Sequence, residues 1–280
     1  MKNVLFIDKP KGMTSFDVCY KLRKVLGTKK IGHTGTLDPN ATGVMIVLFD
    51  KATKANQFLV SSEKEYIACV KLGVMTDTLD IDGNVIEERV CKMPDALALK
   101  KALNNYLGIS KQTPPLTSAI KVAGKKLYEY QRENLEVKIP EREIEVKEIE
   151  LLSVYEDEFV FRCKVSSGTY IRSLVRDILN DLGLIGTLKD LMRTKIDNVD
   201  ISKCDKFEDV LNDNYHAYSL YEVMKDSYYL YEVSNKQDVL NGKPLKLPLK
   251  EEEILCVSNK EVLAIYRKEK GIYRCVRGLW

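Results

Sequence analysis

The stretch GHTGTLDPNATG, Gly32 to Gly43, sets one carboxylate, Asp38, among glycines, threonines and a histidine, directly before a proline. A lone acid can act as a nucleophile. In a dry pocket desolvation raises its pKa, so that role demands a cation held close by. The competing reading is a tight turn opened by the Asp-Pro pair, and spacing alone leaves both open. Other chemistries are excluded. GTLDPNATG lacks the Lys-Ser/Thr ending of a phosphate-cradling loop. DPNATG imitates the start of a calcium loop, with Asp38, Asn40, Thr42 and Gly43 in its first, third, fifth and sixth positions. Phe49, however, stands at the twelfth, where a bidentate Glu is needed. TDTLDIDG fails likewise, with Thr78 at position one and Arg89 at position twelve. No second carboxylate lies nearby in sequence as in a glycosidase pair, and no Ser-His-Asp arrangement is legible.

SSGTYIRSLVRDILNDLG supplies a candidate cation. Ile171, Leu174, Val175, Ile178 and Leu182 form the buried stripe of a helix starting near Thr169, which leaves Arg172 in its first turn. A cation there opposes the helix dipole by roughly 0.3–1 kcal/mol, and a carboxylate partner more than offsets that. Taken alone, the pattern more commonly means a surface arginine at a helix start.

The elements that must position these residues are mixed. Val4 to Ile7 reads as a strand, and FDVCYKLRKVL as a helix behind the turn-rich DKPKGMTS, with Thr14 and Asp17 spaced as a capping box. VMIVLF after the glycine loop suits a buried strand. EYIACVKLGV and NVIEERV read as strands around the turn DIDGN, and PDALALKKALNNYLG as a helix opened by Pro94 and closed by Gly108. TPPLTSAIKVAGKKLYEYQREN reads as a strand, a turn and a short helix; the alternating segment from Glu141 to Ser167 reads as two or three strands. The expected class is α+β with a mainly antiparallel sheet. After a short amphipathic piece over 219–226 the texture changes to short strands with Gly and Pro turns. That places a boundary near residue 225 and a small β-rich module beyond it, which needs to dock on the first domain to be very stable.

Bulk composition narrows the function classes. The 280 residues are 45% hydrophobic and 30% charged, with no apolar run long enough to span a bilayer and too short an apolar patch at Val4 to Ile7 for a signal peptide. A cytoplasmic protein without a membrane role is expected. Cys19, Cys69, Cys91, Cys163, Cys204, Cys256 and Cys275 are odd in number and form no CxxC pair, and the only histidines, His33 and His216, are far apart. Neither a disulfide framework nor a metal site is signalled. Net charge is +3, yet residues 1–60 hold ten Lys/Arg against four Asp/Glu. That excess suits either a solvated face or a surface for phosphate backbones.

The run KPKGMTSFD, then GHTGTLDPNATGV with KATK, then PPLTSAIKVAGKKLYEYQRE, SSGTYIRSL and LMRT resembles, in order and spacing, the TruB family of tRNA pseudouridine synthases. The resemblance covers about residues 1–200, and residues after about 225 look like that family's small PUA-type RNA-binding module. It implies a pseudouridine synthase catalytic domain over 1–225, built on a mixed, mainly antiparallel sheet flanked by helices, with an RNA-gripping insertion at about 115–140, and a PUA-like module over 226–280.

The same resemblance assigns roles. Asp38 is the nucleophile, and Arg172 pairs with it and keeps it ionised. Tyr66, in KEYIACVKLG, stacks on the uracil near the proton that must leave, and Tyr170 fixes the geometry of Arg172 and the base. For either tyrosine the plain alternative is a core aromatic with a bonded hydroxyl. Leu191 of LMRT closes the apolar side of the pocket, and Lys9 with Pro10 braces it. A stacked nucleotide must be extruded for this chemistry, and His33 is the wedge that fills the vacancy. Departures are Gln131 and Asn134 where relatives often carry Ala and Gly, Asp50 where Gly is frequent, and Met192 where Arg is usual.

The implied activity is isomerisation of the T-loop uridine, position 55 of tRNA, without a cofactor or metal. The implied partner is the tRNA T-arm, the enzyme being a monomer with no obligate protein partner. Two rivals are a non-catalytic tRNA-folding chaperone using the same cleft, and a guide-RNA-directed synthase of the dyskerin kind.

Overall fold

The computed structural model describes residues 2–59, 63–118, 120–133 and 135–280. The chain opens with β1 (Lys2–Lys9), α1 (Ser15–Val25), β2 (Ile31–His33), β3 (Thr42–Phe49) and a 3-10 stretch over Asp50–Phe58. There follow β4 (Glu63–Leu72), β5 (Val74–Thr76), β6 (Val85–Glu88), α2 (Ala96–Asn104), β7 (Gly108–Gln112), β8 (Lys121–Val122), β9 (Lys125–Lys126) and α3 (Leu127–Arg132). Next come β10 (Arg142–Val154), β11 (Glu158–Ser166), α4 (Ile171–Asp181), β12 (Gly186–Ile196), β13 (Val199–Asp200), β14 (Asp205–Lys206), α5 (Phe207–Leu211), β15 (Ala217–Ser219) and α6 (Leu220–Met224). The chain ends in β16 (Tyr229–Glu232), α7 (Lys236–Leu240), β17 (Glu253–Ser258), β18 (Glu261–Glu269) and β19 (Ile272–Gly278). Among the described residues no helix is long and apolar enough to cross a membrane.

These elements form two compact units, one of Met1–Pro39, Val44–Val60 and Ser202–Trp280, the other of Asn40–Gly43 and Ser61–Ile201. In the first, strands run in the order β14-β1-β3, with β15 on β1 and β2 on β3. Leu5, Ile7, Met45 and Val47 of this sheet pack with Val18, Cys19 and Leu22 of α1 and with Phe207 and Val210 of α5. α1 starts where predicted: the Thr14 hydroxyl accepts the Asp17 N–H at 3.0 Å, and the Asp17 carboxylate accepts the Thr14 N–H at 2.9 Å. The same unit holds a four-stranded sheet, β16-β17-β18-β19. Leu255, Val257 and Ile265 on one face pack with Ala55, Met224 and Leu279; Ile254, Cys256 and Tyr266 on the other pack with Val239. So small a sheet gains the cover it needs from residues of the 3-10 stretch.

In the second unit the order is β12-β4-β11-β10-β7, every neighbouring pair antiparallel, while Thr42 and Gly43 pair in parallel with Met192 and Arg193. β4 alternates as a half-covered strand should, burying Tyr66, Ala68, Val70 and Leu72. α4 buries Ile171, Leu174, Val175 and Ile178 and packs on β12.

Three expectations need correction. The strand expected over 65–74 stops at Leu72, where Gly73 turns with φ +86°, and the strand that pairs with β6 around the turn is the separate β5. α2 is opened by Asp95, whose carboxylate accepts the Ala98 N–H at 2.8 Å, and not by Pro94. It ends at Asn104, and Gly108 instead starts β7, a strand whose few residues show no clear alternation.

Candidate active site

Asp38 lies half-buried in the span between β2 and β3. Its side chain is delivered by backbone held on both flanks. On the preceding side the Ser15 hydroxyl accepts the Leu37 N–H at 2.9 Å and donates to the Leu37 carbonyl at 3.1 Å. On the following side the Pro39 carbonyl accepts from Lys9 Nζ at 3.2 Å and from the Gly12 N–H at 2.9 Å. Lys9 is fully buried and also donates to the Pro10 carbonyl at 2.9 Å. A buried ammonium needs such acceptors, and here they tie the end of β1 to the loop. His33 ends β2 opposite Val47 of β3 and is half-buried.

Gly43 shows why the loop closes on glycine. It has φ +100°, and a Cβ there would lie 2.2 Å from the Arg193 carbonyl oxygen. Only a residue without a side chain lets the start of β3 approach β12 this closely. Asn40 holds the same connection, its Nδ2 donating to the Lys189 carbonyl at 3.0 Å.

Asp50 follows the same logic further on. Its φ is +51°, the conformation glycine supplies freely and Asp tolerates, and its carboxylate accepts the Thr28 hydroxyl at 2.6 Å. Asp50 thus occupies a conformation that glycine also adopts freely. Asn134 lies outside the described residues; Gln131 belongs to α3, and Met192 sits half-buried in β12 opposite Ile67.

Tyr66 and Leu191 meet in the second unit. Tyr66 is 6% exposed and stands across from Cys163 of β11 and Arg193 of β12, while Leu191 stands across from Ala68. Opposed residues share a face, so Tyr66 and Leu191 are diagonal neighbours on one side of the sheet. Lys64, two residues before Tyr66, points to that same side. Burial, and after it the Arg193 cation, pushes Lys64 down to about 8 against the opposing pull of Asp197. On the other face burial raises the Glu65 carboxyl, but hydrogen bonds from Thr194 and Arg162 outweigh it and leave the group below its ordinary value.

Arg172 is not a surface arginine. It is 4% exposed, and its Nη1 donates to the Thr78 carbonyl at 2.9 Å and the Thr117 hydroxyl at 2.6 Å, while Nη2 donates to the Thr117 carbonyl at 3.0 Å. Asp80 Oδ2 lies 3.4 Å from Nη1. Asp80 is itself fixed: its other oxygen accepts from the Thr78 hydroxyl at 2.7 Å and the Asp82 N–H at 3.2 Å. The Leu188 backbone bonds Leu79 and Ile81 on either side of it. Tyr170, half-buried at the start of α4, is held by one side chain: Gln112 Oε1 accepts its N–H at 2.9 Å and Gln112 Nε2 donates to its carbonyl at 3.1 Å.

The structure therefore places Lys9, Pro10, His33 and Asp38 in one unit, and Tyr66, Leu191, Tyr170 and Arg172 in the other, to which Asn40–Gly43 also belong. Sequence reasoning missed Ser15, Thr78, Asp80, Gln112 and Thr117. In TDTLDIDG the legible signal is the T-x-D spacing by which the Thr78 hydroxyl caps the acid beside the arginine. Among the described residues no three His, Cys, Asp or Glu side chains are grouped as a metal ion requires.

Residues 23–171 match the model of the TruB family pseudouridylate synthase N-terminal domain. The chain is 41% identical to tRNA pseudouridine synthase B of Geobacillus kaustophilus over 262 residues, covering 89% of this chain and 92% of that protein. It is 37% identical to the protein of the same name from Lactobacillus delbrueckii subsp. bulgaricus over 284 residues, covering 96% and 95%. Among solved structures, the crystal structure of a Cbf5-Nop10-Gar1 complex contains a chain that superposes with a TM-score of 0.74 at 23% identity, over 99% of this chain and 85% of that one; this shows the fold. A family model spanning more than half the chain, with relatives aligned along nearly all of it, establishes that this chain belongs to the TruB family of pseudouridylate synthases.

Proposed function

We propose that this chain is a stand-alone tRNA pseudouridine synthase that isomerises the T-loop uridine at position 55 with Asp38 as nucleophile. The observation that carries this reading is the loop clamped on both flanks of Asp38, by Ser15 at Leu37 and by Lys9 and Gly12 at Pro39. A catalytic acid gains from being held in one place before substrate arrives; an ordinary turn has no such need. Relatives named tRNA pseudouridine synthase B support RNA of this class as the substrate.

The reaction balances within one nucleoside. The bond from C1′ to N1 of uracil breaks, the freed base turns, and C5 bonds to C1′; C5 loses its proton and N1 gains one. No electron is transferred. Arg172, preset by Thr78, Thr117 and Asp80, is assigned to keep the Asp38 carboxylate ionised. Tyr66 stacks on the base and Leu191 walls its apolar side, consistent with their common face on β4 and β12. Tyr170 orients this group, and His33 fills the space the flipped nucleotide vacates. Residues 1–225 are assigned to catalysis, with the insertion at about 115–140 gripping RNA, and 226–280 to a PUA-like module that adds RNA contacts. The enzyme acts as a cytoplasmic monomer.

Incubating the purified protein with unmodified tRNA transcript, followed by mass-resolved mapping, tests the reading. One pseudouridine at position 55 without guide RNA or added protein is expected. An unmodified transcript, or modification only with a guide RNA, overturns it.

A further inference from the structure

The outward face of α1 carries an aromatic and basic patch for which the chemistry at Asp38 has no use. Phe16 and Tyr20, one turn apart, are 64% and 60% exposed, while Val18, Cys19 and Leu22 face the core. Arg23 lies over both rings, its guanidinium carbon 5.8 Å from the Phe16 centroid and 5.3 Å from that of Tyr20. Lys21, Lys24, Lys29 and Lys30 extend the charge and are all exposed. Among the described residues Arg23, Lys24, Lys29 and Lys30 form no ion pair. Beside the rings, Tyr20, Arg23, Lys24, Gly27, Thr28 and Leu211 line a shallow depression of about 850 Å³.

The chemistry of this patch selects its partner. A protein-binding core is depleted of lysine, whereas lysines here border the rings. Flat rings set among cations not neutralised by acids suit a strand whose bases stack while its phosphates pair with the charges. α1 starts at Ser15, the residue that holds the loop before Asp38, and rises roughly 16 Å over its length. An RNA held at Asp38 is therefore within a few nucleotides of this face.

We propose that the outward face of α1 is a second RNA-contact surface, on which an unpaired base stacks against Tyr20 and Arg23, beside Phe16, while Lys24 and Lys29 take the flanking phosphates. This rests on the reading of the chain as a tRNA-modifying enzyme and extends it beyond the pocket. Two double variants test it with unmodified full-length tRNA transcript: Phe16→Ala with Tyr20→Ala, and Lys24→Gln with Lys29→Gln. Kd is measured across a salt series, and isomerisation is followed in parallel. The ring variant is expected to raise Kd about tenfold and lower kcat/KM by the same factor. The lysine variant, which alters only exposed side chains, is expected to flatten the slope of log Kd against log salt by about 1.4–1.8. A wild-type protein that leaves the transcript unmodified defeats the underlying function and this extension with it. If wild type isomerises the RNA and both variants keep its Kd and salt slope, the surface proposal alone is overturned.

Discussion

The hydroxyl of Ser15 holds both backbone groups of Leu37, accepting its N–H at 2.9 Å and donating to its carbonyl at 3.1 Å. Both residues are buried. Ser15→Ala leaves two buried polar groups without this partner, at about 1–3 kcal/mol for an unsatisfied group. The expected outcome is a loss of about 2 kcal/mol in urea denaturation together with a fall of at least about tenfold in kcat, because the residue before Asp38, the proposed nucleophile, is released. A destabilised variant with wild-type kcat would show that the clamp serves folding alone.

Asp80 places a carboxylate beside Arg172, and its replacement separates charge from shape. Asp80→Asn keeps the size of the side chain and leaves the donors of Arg172 to Thr78 and Thr117 in place. It removes the negative charge 3.4 Å from Nη1. Single-turnover isomerisation is expected to slow by at least about tenfold, since small displacements of a positioning group can cost up to about a hundredfold. RNA affinity is expected to stay within about twofold. An unchanged rate would assign the setting of Arg172 to the two threonines.

Lys64 gives a pH dependence with a definite sign. With its pKa lowered from 10.5 to about 8, the folded protein binds fewer protons than the unfolded chain between those values, so this group's contribution to stability rises with pH across that window. Below about pH 8 both states are protonated and the full cost of the half-buried charge is present. Lys64→Met removes that cost. Urea denaturation at pH 7, 8.5 and 10 is expected to find the variant more stable at pH 7, with the advantage shrinking by pH 10. An advantage independent of pH would mean that Lys64 titrates normally in the folded protein.

What the sequence revealed follows from how local each signal is. The capping box at Thr14 and Asp17 and the stripe Ile171, Leu174, Val175 and Ile178 of α4 are patterns within a few residues, and both stand where expected, whereas Leu182, also expected in the stripe, is the half-buried residue that caps the helix. The break at Gly73 was hidden because a glycine inside an apolar run marks a turn only when its φ is known. The setting of Arg172 was illegible for a different reason: Thr78, Asp80 and Thr117 lie far from it in the chain, the first two being held there by the bonds of Leu79 and Ile81 to Leu188 of β12 and the third by its own bonds to Thr78 and Arg172. Pattern alone therefore favoured a surface arginine, and burial reverses that. The clamp of Tyr170 by Gln112 is equally non-local.

If the Asp38 carboxylate performs the chemistry and its loop serves to place it, removal of that charge alone abolishes turnover. Asp38→Asn keeps the shape of the side chain and removes its charge. Its direct test is single-turnover conversion of a uridine-containing T-arm RNA, with binding measured on the same preparation. RNA affinity close to wild type and no detectable pseudouridine are expected. Conversion by the variant at a rate near that of wild type would contradict that role for Asp38.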